Sequence, residues 1–242
     1  MKLRADIKQQ AKERFTAQYG VSVGALLLVM VISSALSVIY SIITADTIAH
    51  NYAVLFTGYG YILPYAPAAE YISFLMSMVS IFVVLPLSVG YYSFSLRIYR
   101  GVPADINGMF REGFSNYWRH VGGMLWMGLF TMLWSLLFVI PGIIKALAYF
   151  MAPYILADCP NVTATDALKL SMRMTAGHKG KIFVMGLSFI GWGILTALTG
   201  GILGIFYTGP YMSTSYAGLY DELKNEALAK GVVSPLELGI AV

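Results

Sequence analysis

The side chains in this 242-residue sequence that could carry chemistry are few and scattered. Histidines stand at His50, His120 and His178, with no spacing that would converge two of them on a metal. Cys159 is the one cysteine, so it has no disulfide partner within the chain and no second thiolate for a tetrahedral site. The acids Asp46, Glu70, Asp158 and Asp221 fall at the ends of apolar runs. Pumps coupled to protons or ions need ionisable groups inside such runs, so that class is disfavoured. Asp158 and Asp221 are the most suggestive pair, because each ends an apolar run among cations. One reading makes them boundary carboxylates that set helix depth and pair with Arg173 or Lys181. The sharper reading joins them to His178 and Lys179 as a cytoplasmic cluster for a headgroup or ligand. No catalytic, cofactor-binding or metal-ligating residue is expected.

The elements that must hold these groups are set by composition. The chain is 58% hydrophobic and 12% charged, with a net charge of +4 and a mean hydropathy of +0.70. A soluble domain carries about 25% charged residues. So little polar surface implies that lipid is one of the solvents. The basic residues fall between apolar blocks instead of gathering on one face or tail, which is a membrane pattern and argues against nucleic acid as a partner.

Read in order, residues 1–19 place Leu3, Ile7, Ala11 and Phe15 at spacing four among five cations. That is an amphipathic basic helix, suited either to the headgroup layer or to packing on the helix ends. The run after it is too long for a signal-peptide core and is expected to stay as a span. Six spans are expected, at about 20–45, 71–96, 120–140, 143–157, 182–199 and 202–220. The fold class is therefore all-α: a polytopic membrane protein of six transmembrane helices arranged as three hairpins. Amphipathic interfacial helices precede each hairpin on the cytoplasmic face.

Tyr52, Tyr59, Tyr61 and Tyr65 populate the first outer loop, 46–70. Pro141-Gly142 is read as the turn of the second hairpin and Gly200-Gly201 as that of the third. Lys145, just after Pro141, is expected to reach the outer headgroups along its stem. Thr163 to Asp166 resembles a capping box, and Gly177 is placed for a left-handed cap. The tail, 221–242, is expected to be cytoplasmic and loosely ordered. Asn161-Val162-Thr163 matches a glycosylation sequon that this topology leaves on the cytoplasmic side.

Two regularities support the layout. Fifteen of sixteen lysines and arginines fall on one side, Lys145 being the exception. Positive loops stay cytoplasmic, so both termini are expected inside a bacterial cell membrane. The even spans also each carry a proline, Pro86, Pro153 and Pro210. Pro153-Tyr154 and Pro210-Tyr211 repeat as a dipeptide, which suggests one unit used three times.

The segments from Ile140 to Pro160, from Asp166 to Phe183, Leu187 to Trp192 and Pro210 to Leu223 resemble the bacterial domain-of-unknown-function family 975. The resemblance covers roughly residues 1–225 and is densest from Phe138 to Leu223. It implies a multi-pass membrane protein without assigned activity and brings no catalytic residues. A more distant likeness is to the membrane region of some glycerophosphodiester phosphodiesterases, whose catalytic domain this sequence lacks. The leading expectation is a non-enzymatic membrane factor that binds lipid, a hydrophobic peptide or a membrane partner, in export, immunity or envelope support. Its expected partners are the bilayer, with anionic headgroups, and a membrane protein or a second copy. The alternative is a small uncoupled transporter, with a water path lined by Tyr154, Tyr211, Ser213 and Thr214.

Overall fold

A computed structural model describes residues 4–57 and 67–239. Leu3 and, from the expected first outer loop, Tyr59, Tyr61 and Tyr65 fall outside the described residues, whereas Tyr52 lies within a helix. Among those described there is no strand. The helices are α1 (Arg4–Ala17), α2 (Tyr19–Thr57), α3 (Pro67–Arg100), α4 (Ile106–Ser115), α5 (Tyr117–Leu137), α6 (Val139–Tyr149), α7 (Ala152–Asp158), α8 (Ala164–Thr175), α9 (Lys179–Leu187), α10 (Ile190–Leu198) and α11 (Gly209–Ala229). A π-helical turn, Gly204–Thr208, leads into α11, and a short 3-10 turn, Leu236–Leu238, lies in the tail.

Among the described residues five stretches are long and apolar enough to cross a membrane: Tyr19–Ile42, Phe74–Arg100, Tyr117–Leu137, Val139–Asp158 and Lys179–Leu198. The expected sixth segment, 202–220, is not among them. It is divided between the π-helical turn and the first half of α11, whose Pro210, Tyr211, Thr214, Ser215, Ala217 and Gly218 are buried within the protein. Beyond that half, α11 carries Asp221, Glu222, Lys224 and Glu226, so its pattern is that of a core helix with a charged end.

The chain divides into two compact units, one of residues 28–85 and one of 1–27 with 86–242. The first is made of the apolar lengths of α2 and α3. Three of its serines fold back on their own helices, Ser34 to the Val31 carbonyl, Ser41 to Val38 and Ser80 to Met76. A hydroxyl so bonded adds no unsatisfied group to an apolar helix.

In the second unit α1 and α8 turn their apolar stripes into the protein, whereas Phe114 at the end of α4 and Trp118 just beyond it are 38 and 75% exposed. Ile7, Ala11 and Phe15 of α1 are fully buried, and Ile7 meets Tyr99 at Gly218 of α11. Of the two readings for this helix, packing on neighbouring helices is the one seen. A Cβ on Gly218 would stand 2.3 Å from the Tyr99 ring, so only glycine admits the contact. Helix α4 is capped by Asp105, which accepts from the Gly108 amide at 3.0 Å. It crosses α3 where Gly90 faces Gly113, and a Cβ on Gly113 would lie 2.6 Å from the Pro86 carbonyl. Thr163 caps α8, accepting from the Asp166 amide at 3.2 Å, and Gly177 takes the expected left-handed conformation at φ +76°.

The hairpin turn between α5 and α6 lies at Phe138, extended at φ −160° and ψ 148°, and not at Pro141-Gly142. Pro141 instead occupies the first turn of α6, where a missing N–H costs nothing. Gly142 lets α6 close on α5, since a Cβ there would meet Ser135. The segment expected as one span, 143–157, is two helices, α6 and α7, because Pro153 begins a new helix after Phe150. Helix α8 supplies the bonds lost at this break. The Ser171 hydroxyl accepts from the Met151 amide at 3.2 Å and donates to the Ala148 carbonyl at 2.7 Å. Thr175 donates to the same carbonyl.

The tail is folded and not loose: Val233 and Leu238 are buried. The Arg173 guanidinium reaches both the Val232 carbonyl and the Glu237 carboxylate.

Ser171 is 0% exposed and serves two backbone groups. Replacing it with alanine should therefore destabilise the protein by about 1–3 kcal/mol, the cost of an orphaned buried amide. Thermal unfolding in detergent would show this against Ser115→Ala, an exposed position expected to change nothing.

Candidate functional site

Where α3, α7 and α11 end, their charges meet. Arg100, the last residue of α3, spreads its guanidinium over two carboxylates. It donates to Asp158 at 2.6 and 3.0 Å and to Asp221 at 2.6, 3.0 and 3.2 Å. Lys224, one turn beyond Asp221 on α11, donates to Asp158 Oδ2 at 2.6 Å, and the Tyr220 hydroxyl donates to the same oxygen at 3.1 Å. Two cations and two anions balance here. The Asp158 side chain is only 10% exposed and that of Lys224 14%. Beneath the charges Tyr220 stacks on Tyr154, which meets Tyr92 edge-on. The aromatic column withholds water from the ion pairs on one side, which strengthens them.

This junction corrects the partners expected from sequence. Asp158 and Asp221 pair with Arg100, and Asp158 also with Lys224, whereas Arg173 pairs with Glu237 in the tail. His178 lies on neither aspartate. Its Nε2 stands 3.4 Å from Glu226 Oε1 on α11. Arg100, Lys224, Glu226 and Glu237 were not singled out in the sequence. The spacing of Asp221 with Lys224 and of Glu226 with Lys230 placed charges on shared faces of α11, the one local signal available.

A cavity of about 240 Å³ opens between the end of α8, the Gly177-His178 corner and α11. Arg173, His178, Leu223, Glu226, Lys230 and Val232 line it. His178 Nδ1 and Glu226 Oε2 are buried there with no hydrogen-bond partner among the described residues. Burial holds the His178 pKa below its ordinary value of 6.5, Glu226 opposes that shift, and Lys181 and Lys230 add to it. The Lys230 ammonium holds Glu226 below the usual carboxylate range, with His178 and Lys181 contributing. Arg173, with the Ser234 amide, takes Glu237 down to about 2.

The other expected positions lie elsewhere. Lys145 does not extend to an outer surface: its amine is 4.0 Å from Met172 Sδ on α8 and 4.8 Å from the centre of the Trp134 ring. Trp192 packs with Tyr207 and Tyr211. Lys179 and Lys181 lie in the first turn of α9, and Lys181 is near enough to the cavity to act on His178 and Glu226. His120 is structural, its Nδ1–H donating to the Gly113 carbonyl at 2.6 Å. Of the residues expected along a water path, Tyr154, Tyr211 and Thr214 are buried in packing, and Thr214 donates to the Pro210 carbonyl. Among the described residues no three His, Cys, Asp or Glu converge as a metal site.

Residues 71–227 match the family described as "Protein of unknown function (DUF975)". The chain belongs to this family. The DUF975 match takes in Arg100, Asp158, Asp221, Lys224 and Glu226, and leaves out α1, Lys230 and the Val232–Glu237 tail that closes the cavity. No curated protein and no solved structure matches the chain.

Two outcomes test the site. Arg100→Gln leaves two facing carboxylates with Lys224 alone, and should cost about 2–3 kcal/mol, near the lower end for a broken buried pair. Lys169→Gln, on an exposed pair, should cost under about 1 kcal/mol by the same thermal assay. The His178 pKa is lowered, so the folded chain holds that proton less readily than the unfolded one. Its contribution to stability is full above pH 6.5 and declines as the pH falls through and below that value. His178→Gln should therefore flatten the drop in melting temperature between about pH 7 and 5. An unchanged slope would exclude His178 as its source.

Proposed function

We propose that this DUF975 chain is a non-catalytic protein of the bacterial cell membrane that binds anionic lipid at its cytoplasmic side. In this reading the six apolar segments form three hairpins entering from that side, with both chain ends inside. The observation that carries it is the join between exposed apolar helices and cations at their bases. Phe183, Val184 and Leu187 of α9 are 50, 42 and 46% exposed, and Lys179 and Lys181 stand at the start of the same helix. Lys169, paired with Asp166, and Arg173, paired with Glu237, are exposed on α8. Apolar side chains in acyl chains with lysines one turn away at the phosphates is the arrangement a headgroup-binding surface needs. A membrane partner protein would use the same surface, with the charge junction holding α3, α7 and α11 in register beneath it.

The transporter reading draws no comparable support, since the hydroxyl and phenol groups it would use are taken up in packing. Each cation near an anionic surface contributes about 1 kcal/mol. Lys169→Gln, Lys179→Gln and Lys181→Gln together should lower the preference of the full chain for phosphatidylglycerol over phosphatidylcholine by about tenfold or more, read by native mass spectrometry or nanodisc lipid exchange. Equal lipid selection by the triple variant and the parent would exclude the proposal.

A further inference from the structure

Two of the hairpins carry a lysine part-way along, and the turns at their far ends are apolar. At the α5–α6 turn Leu136, Leu137, Phe138, Val139 and Ile140 are 63–73% exposed. At the turn after α10, Leu198 is 78% and Ile202 63% exposed. Such turns facing water would be a patch that soluble surfaces avoid.

Both turns also bond their own backbone, as hydrocarbon demands. The Phe138 amide donates to Trp134 and the Gly142 amide to Phe138, while Pro141 has no N–H to satisfy. In the other turn the Gly200 and Gly201 amides donate to Ala197 and Thr196. The Thr199 hydroxyl accepts from the Leu203 amide and donates back to Leu195 or Thr196.

The apolar reach beyond each lysine is short. From Lys145 to Phe138 is seven residues, about 10 Å of helix. The Lys145 amine points to α8, and α8 covers the hairpin base as far as Ala148. In the third hairpin the Lys8 amine donates to the Ser188 carbonyl at 3.3 Å and its hydroxyl oxygen at 3.2 Å, in the break between α9 and α10. Leu198 lies ten residues on from Ser188, about 15 Å, and 17 residues on from Lys181, about 25 Å. The hydrocarbon core is about 30 Å thick.

We propose that the α5–α6 hairpin and the hairpin from α9 to α11 are wedges whose tips end among the acyl chains of the cytoplasmic leaflet, instead of crossing to the far headgroups. The proposal rests on the membrane placement and sidedness given above. Helices α2 and α3, of 39 and 34 residues, or about 58 and 51 Å, are the pair long enough to cross with length to spare. Lys145 then joins the other fifteen cations on one side, and the exception to the charge rule disappears.

The test places single cysteines in a Cys159→Ser background, at the tips (Phe138→Cys, Leu198→Cys) and as sidedness controls (Lys12→Cys, Asn225→Cys). Intact cells are treated with a membrane-impermeant maleimide before and after permeabilisation. Wedges leave both tips unlabelled from outside, and a nitroxide at each reports a depth near the bilayer mid-plane in reconstituted vesicles. Tips that label from outside, with the controls still protected, overturn the wedge and leave the lipid-binding reading standing. Controls that label from outside overturn the sidedness on which both depend. Ile140→Lys adds a second readout. In a wedge it lowers membrane-integrated protein about tenfold or more, whereas normal accumulation would place that turn in outer water and refute the wedge.

Discussion

The guanidinium of Arg100, shared between Asp158 and Asp221, is the contact on which the arrangement of the second unit depends. It joins three helix ends that are distant in sequence, and it ties α3 to both α7 and α11. Geometry makes the residue type necessary. One planar fork can offer paired N–H groups to two carboxylates at once, which a lysine ammonium cannot do. Lys224 and Tyr220 complete the coordination of Asp158, so a charge that is costly to bury has donors on several sides.

A second rule governs the places where helices break. Three of the interruptions within the apolar segments are met by a side chain that supplies the missing bond: Ser171 and Thr175 at Phe150–Met151, Lys8 at Ser188, Thr199 before the π-helical turn. Arg119 does the same where α7 ends, donating to the Leu156 and Val162 carbonyls. An apolar surrounding leaves no water to perform this task, so the amphipathic helices α1 and α8 act as donors to the breaks as well as packing partners.

Much of this was legible in the sequence where the signal is local. The stripe of Ile7, Ala11 and Phe15, the cap at Thr163, the left-handed Gly177 and the turn at Gly200-Gly201 all follow from spacing and residue type. The breaks were harder. Phe138 and Phe150 look like any apolar residue, and the turn was assigned to Pro141-Gly142 because proline and glycine are the usual punctuation. There proline served as a helix starter and glycine as a close-packing site. The ion pairs were hardest, since Arg100 lies 58 residues from Asp158 and 121 from Asp221. With sixteen lysines and arginines in the chain, charge alone could not select among them. The tail was misjudged for a related reason: Val233 and Leu238 are two buried side chains in a polar stretch, below what periodicity detects.

The π-helical turn Gly204–Thr208 has a consequence for register. A π turn holds one residue more than the α-helix would, which rotates everything after it by roughly 100° about the axis. Tyr207 and Tyr211, four residues apart, share the face that packs against Trp192. The same rotation sets the azimuth of Asp221, ten residues past the Tyr211 ring. Deleting a single residue from that turn would tighten the pitch and swing the acidic end of α11 out of reach of its arginine, although no atom of the ion pair had been touched.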